Sequence, residues 1–189
     1  PRLVWRNERP AIWGAGVHVR EAQGRLRFAG WLNAEEYQGV AWWTNSVDGT
    51  TVKASCGEGY LVAELRQKGG DIQLLDQGNP LAVRLEVRAE AAIREISLEC
   101  KVAIGDQNLN QLAGNSISQA IQEKVFLALQ KARQMRADIL GIGYKAMFDR
   151  PQLWRRMRQE AGSLNIPQLL ELPVEVVVKV NIAEYGEVR

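Results

Sequence analysis

A single histidine and two cysteines are all that this 189-residue chain offers of the soft metal ligands and common nucleophile partners. A zinc site needs about four ligands and a disulfide scaffold more than one pair, so both classes are excluded. No spacing of Asp and Glu forms a calcium loop or a catalytic carboxylate pair; Glu35-Glu36 and Asp48 come nearest to a group. The charge is equally thin: 24 basic residues against 22 acidic ones leave a net +2. Without clustered Lys and Arg on a recognisable module, nucleic acid is not a partner. Apolar runs fall far short of the roughly 20 residues of a membrane span. The chain opens at Pro1 with neither Met nor signal segment, and is expected to be soluble by itself and cut from a longer precursor.

What is present suits one globular domain over residues 1–189, with 46% hydrophobic and 24% charged residues. Cys56 and Cys100 both fall on the apolar phase of predicted strands, after Val52 and Ala54 and between Leu98 and Val102. Two buried free thiols are the expectation, since free Cys behaves as a small hydrophobe. A disulfide is favoured only in an extracytoplasmic setting.

Residues 11–20 and 25–32 predict a hairpin about Ala22-Gln23-Gly24, with Leu26 and Phe28 alternating against Arg25 and Arg27. Asn33 with Glu36 three residues on is a capping-box pattern that starts a helix over 34–44. Asp48-Gly49 ends it, and a strand follows from Thr50 to Cys56. From Tyr60 to Ile104 strands repeat, divided at Gly69-Gly70 and at Gln77-Gly78-Asn79-Pro80. Leu81, Val83, Leu85 and Val87 alternate with polar residues, as do Ile96, Leu98, Cys100, Val102 and Ile104. Such alternation indicates an antiparallel sheet with one wet face.

The cover for the other face is a long helix. Ile117, Ile121, Val125, Ala128, Ala132 and Met135 recur at spacings of four and three. Pro151 opens a further helix, where its missing N–H does no harm. Val174 to Ile182 closes the chain as an alternating strand, and Val177 on its polar side places it inside the sheet. The fold class is α+β: an antiparallel sheet covered on one face by a long helix, with short additional helices.

Few residues invite chemistry. Gly141-Ile142-Gly143 lacks the third glycine of a dinucleotide loop and the Gly-Lys-Ser/Thr of a P-loop, and follows a helix, so a tight connection after Asp138 accounts for it better. His18 lies on a strand with nothing to place it beside Cys56. Six Trp residues are the oddity, and consecutive Trp42 and Trp43 on a helix point about 100° apart. One of the two is therefore expected to be at least half exposed, both sitting at the edge of the core on the plainer reading and serving a partner contact or a platform for sugar rings on the sharper one. Arg155, Arg156 and Arg158, with Arg150 and joined by Arg133 and Arg136, make a basic run that reads as a solvated helix face or, more sharply, as a contact for an acidic partner or headgroup.

One string is more specific than any of these. Asp138, Gly141 and Gly143 at the end of the long helix, Pro151 and Trp154 opening the next, and Gly186 after the final strand recur in one order. That order resembles the C-terminal domain of the spore germination receptor C-subunit, the Ger(x)C lipoprotein family. His18, where members tend to carry an aromatic, and the lack of a second Trp at Ala161-Gly162-Ser163 are departures from it. The resemblance implies a non-catalytic subunit with no cofactor and no metal. It implies partners in the membrane-embedded A and B subunits of a germinant receptor, and a lipid anchor upstream that holds the full-length form to the extracytoplasmic face of the spore inner membrane. Trp42, Trp43, Arg155, Arg156 and Arg158 are the candidate contacts; a small-ligand or carbohydrate-binding module using exposed Trp is the alternative.

Overall fold

In the computed structural model, which describes residues 2–6, 9–21, 24–75, 82–100, 107–161 and 167–185, the capping box at Asn33 forms as its chemistry dictates. The Asn33 side chain accepts from the Glu36 N–H at 2.9 Å, and the Glu36 carboxylate accepts from the Asn33 N–H at 2.7 Å. Helix α1 (Ala34–Trp43) starts there. Before it lies a sheet of β1 (Arg2–Arg6), β2 (Arg9–Arg20) and β3 (Leu26–Asn33), paired antiparallel in that order. The predicted hairpin is β2–β3; β1 was not expected, and the turn residues Ala22 and Gln23 lie outside the described residues.

The second sheet holds β4 (Asp48–Cys56), β5 (Gly59–Leu75), β6 (Ala82–Ile96) and β7 (Val174–Tyr185), side by side in that order. Between β6 and β7 come α2 (Gln107–Met135), α3 (Ile142–Asp149) and α4 (Pro151–Ala161). The α+β class holds, and so does the long covering helix. At 29 residues and 1.5 Å per residue, α2 is about 44 Å long. It touches β4 and β7, the two outermost strands, so the sheet curls around it. Its stripe of Ile117, Ile121, Val125, Ala128 and Ala132 is fully buried against Leu61, Leu65, Val83, Leu85 and Val87.

Four expectations about the strands and the cysteines need correction. The Gly69-Gly70 pair does not divide two strands: it lies inside β5, where the register slips between Gln67 and Gly69. An extra residue absorbed as a bulge bends a strand without ending it. The strand expected over Ile96 to Ile104 stops at Ile96, and Leu98–Cys100 forms a 3-10 turn with Leu98 94% exposed. The turn is held at its start, because Ser97 donates its N–H to the Tyr60 carbonyl and accepts from the Tyr60 N–H on its hydroxyl. Val102, Ile104 and the Gln77–Pro80 turn lie outside the described residues. Cys56 and Cys100 are not free thiols: they are disulfide-bonded, with Cα atoms 5.1 Å apart, a spacing a disulfide accepts.

The last correction concerns β7. It is an edge strand, paired on one side only, and it runs parallel to β6 from Val83 opposite Val174 to Ile93 opposite Tyr185. A return through three helices permits a parallel neighbour, where a tight turn would enforce an antiparallel one. The free edge is managed by α2: Gln122 donates to the Val176 carbonyl at 3.3 Å and Ser118 to the Val178 carbonyl at 3.5 Å. An edge sealed by a helix is protected from further pairing. Val177 sits instead on the open face, half-buried opposite Glu86. That face is laced with ion pairs, including Arg84–Glu175, Lys179–Glu86 and Arg94–Glu64.

Trp42 and Trp43 are not exposed. They are 1% and 3% accessible, because α1 packs along α2 and also meets β5, and so has core on two sides. Trp43 donates its indole N–H to the Val125 carbonyl of α2 at 3.1 Å, while the Trp42 carbonyl accepts from Gln67 of β5 at 3.1 Å. Gly39 lets the two helices approach this closely, since a Cβ there would meet the Lys124 carbonyl oxygen at 2.0 Å. A contact surface or sugar platform on this Trp pair is thereby removed.

Candidate functional site

Where α2 ends, the chain makes its most polar buried turn. Arg136 adopts a left-handed conformation (φ 51°) and Ala137 is fully buried under the first sheet, packed with Val17, Val19, Leu32 and Met135. Asp138 follows, and its carboxylate gathers the free N–H groups at the start of α3. One oxygen accepts from Gly141 and Ile142, each at 3.1 Å, and the other from Gly143 at 2.5 Å. Gly141 has φ +81°, and a Cβ on Gly143 would press on the Asp138 carboxylate at 2.8 Å, so both glycines answer to the turn. The structure thus brings Asp138, Gly141 and Gly143 together. The ring of N–H groups that in other loops cradles phosphate is here filled by the chain's own carboxylate. Burial pushes the Asp138 carboxyl up from the ordinary Asp value, against the opposing pull of the Gly143, Ile142, Leu140 and Gly141 N–H groups.

Helix α3 is anchored by Lys145, which pairs with Asp71 of β5 at 3.1 Å and with Asp149 at 3.5 Å. The hydrogen bond that Lys145 donates to Asp71 holds its ammonium above the usual range, outweighing a small loss of solvent. The adjacent side of α3 shows Tyr144 and Phe148, 67% and 61% exposed and in edge-to-face contact at 4.8 Å. Pro151 opens α4, and Trp154 is half-buried, packed against the main core. The Arg158 guanidinium lies 5.1 Å over the Trp154 ring. Arg155 and Arg156 are exposed and have no ion-pair partner among the described residues. Arg133 does not join them, because it is spent on the Leu170 and Leu172 carbonyls ahead of β7. Gly186 lies outside the described residues.

Between the first sheet and these helices is a cavity of about 400 Å³, walled by His18, Val19 and Arg20 of β2 and by Asp138, Ile139, Tyr144, Met147 and Trp154. Outward from His18 the aromatics continue: His18 meets Phe28 at 5.4 Å, and Phe28 meets Trp31 at 5.3 Å. Phe28 and Leu26 were expected on the buried face. The bulge that pairs Val17 with Gly30 but His18 with Phe28 leaves Ala29 over, and one extra residue turns the strand's outer half over. Reasoning from residues missed this aromatic rim. The one signal was Tyr144 and Phe148 four apart on a short helix, a pairing equally common in cores.

Comparison with known proteins agrees with this geometry. The family described as "Spore germination B3/ GerAC like, C-terminal" matches residues 24–186. Spore germination protein KC of Bacillus subtilis (strain 168) is 21% identical over 174 residues, covering 90% of this chain and 41% of the relative. The crystal structure of the GerBC protein superposes with a TM-score of 0.68 at 12% sequence identity, over 89% of this chain and 57% of that one. The last likeness is one of fold. The chain spans less than half the length of the curated relative and over half of the solved one.

Proposed function

This chain belongs to the spore germination B3/GerAC-like C-terminal family, and from that membership we propose that it is a non-catalytic part of the C subunit of a nutrient germinant receptor, acting in spore germination through protein contacts. The match over residues 24–186 carries the reading. Its partners are the membrane-embedded A and B subunits, and a lipid anchor on the full-length form holds it to the extracytoplasmic face of the spore inner membrane. Two observations support that setting. The Cys56–Cys100 disulfide suits an oxidising compartment. Among the described residues no helix is long and apolar enough to cross a bilayer, so attachment falls to something other than a helix described here.

The contact surface is the α3–α4 end. Tyr144 and Phe148 of α3 expose large apolar area, and α4 adds Arg155 and Arg156, which are exposed and without an ion-pair partner among the described residues, with Arg158 on Trp154. Aromatic residues and Arg are the types that dominate partner binding when a partner excludes water from them. An acidic surface on the A or B subunit matches the cationic side of α4. Reversing both charges, Arg155→Glu with Arg156→Glu, is expected to reduce recovery of the other subunits when the receptor is purified from spores, with the fold intact. Undiminished recovery would move the contact surface elsewhere.

A further inference from the structure

The cavity between β2 and the α3–α4 pair has a property that partner docking does not use: its unspent charge is of one sign. The carboxylate on its wall, Asp138, has both oxygens committed to backbone N–H groups. Arg20 also lines the cavity, is exposed, and has no ion-pair partner among the described residues. Much of the remaining wall is apolar or aromatic, from Val19, Ile139, Met147 and Trp154. Gly141 leaves part of it unfilled, because a Cβ there would meet nothing within 4 Å. At about 400 Å³ the space lies toward the small end of ligand cavities, which run from roughly 300 to 1,000 Å³.

These features select a ligand by chemistry. A neutral apolar molecule gains the wall and leaves the guanidinium unused. A cation meets Arg20, with the Arg158 guanidinium on the Trp154 ring behind it. A carboxylate on a flat apolar body gains both wall and charge, and Arg is the side chain suited to hold a carboxylate by two parallel hydrogen bonds. We propose that this cavity binds a small amphipathic carboxylate, its apolar or aromatic body against Trp154 and Met147 and its acid group at Arg20. The inference concerns the chain by itself, so it stands or falls separately from the receptor contacts.

The test is calorimetric titration of the 189-residue chain with indole-3-propionate, its methyl ester and tryptamine. The acid is expected to bind, the ester to bind at least about tenfold more weakly and tryptamine not at all, a tenfold ratio being about 1.4 kcal/mol. Arg20→Gln is expected to erase the difference between acid and ester, and Met147→Trp, which fills the space, to abolish binding of both. Melting temperature reports that each variant still folds. Equal affinity for acid and ester, or no binding of the acid at about 10 mM, where even millimolar sites saturate, overturns the proposal. So does acid binding that survives both variants. Binding to phosphatidylglycerol vesicles without binding of the acid would assign the patch to a lipid surface and overturn it as well.

Discussion

The two sheets of this molecule bury their aromatic residues to opposite degrees. Against the four-stranded sheet, α1 and α2 leave Trp42 and Trp43 almost no accessible surface, and the core between them is continuous from β4 to β7. Against the three-stranded sheet the buried cluster is small, with Val17, Val19, Leu32, Met135 and Ala137. There Phe28, Trp31, Tyr144 and Phe148 stay exposed, in ring contacts that lead outward from the His18 and Tyr144 walls of a cavity. Size explains the first case: a long helix in a curled sheet offers apolar contact on every side, and burial is the dominant gain in folding. The second case has no such account within the chain. Large exposed apolar residues in one neighbourhood mark surfaces that contact something else. The lesson is that residue type did not separate core Trp from surface Trp; the number of layers around each did.

That contrast can be broken most sharply at Trp42. Trp42→Ala should destabilise the chain by about 3–5 kcal/mol, the range for deleting a buried aromatic, as measured by urea unfolding. A loss below about 1 kcal/mol would place Trp42 with ordinary surface residues and erase the difference between the two regions.

Asp138 lies on the boundary between the regions, and a middle-sized effect is expected there. Asp138→Asn puts an amide donor where an acceptor faced backbone N–H groups, at about 1–3 kcal/mol for buried donors left unsatisfied. The substitution also removes a pH dependence. With its folded pKa raised above the unfolded value, Asp138 keeps a proton in the native state that the unfolded chain has already released. Its contribution is therefore full below the ordinary Asp pKa and is lost as pH rises through the raised folded value. Thermal melts of the two proteins at stepped pH should show a slope in that window for the native chain that the Asn variant lacks. Parallel curves would mean that the carboxyl is not perturbed.

The smallest effect is expected at the rim. Tyr144→Ser should change stability by no more than about 0.5 kcal/mol, as for a surface side chain away from structural features. A loss above about 2 kcal/mol would show the rim to be core, and the contrast between the regions would vanish.

Much of the first region was legible in the residues. The capping box at Asn33 and the stripe from Ile117 to Met135 specify their elements through local hydrogen bonds and a 3.6-residue period. The alternation of β6 is likewise local, since side chains on a strand point to opposite faces by geometry. The β2–β3 hairpin was readable, but its phase was not. A single extra residue at Ala29 is invisible in composition, yet it decides that Phe28 faces water.

The candidate site was legible only in its scaffold. Asp138, Gly141 and Gly143 stand close enough in the chain for their turn to be read as a turn, and the structure supplies the N–H groups that the carboxylate collects. The cavity, by contrast, joins β2 to α3 and α4 across more than a hundred residues, and no local pattern encodes such a meeting. The same limit explains β7. Its dense β-branched residues indicate burial, but Ser118 and Gln122 of α2 seal its edge in place of a second neighbouring strand.

By itself the sequence determined the class of the fold and the helix starts and stripes. Those depend on neighbours a few residues apart, where covalent geometry sets which side chains share a face. Only the tertiary structure decided that Cys56 meets Cys100, that both Trp42 and Trp43 are buried, and that Arg20, Tyr144 and Trp154 share the wall of one cavity. Each of these depends on how many layers close over a residue, and that is fixed by contacts between segments far apart in the chain, which burial drives and no local period records.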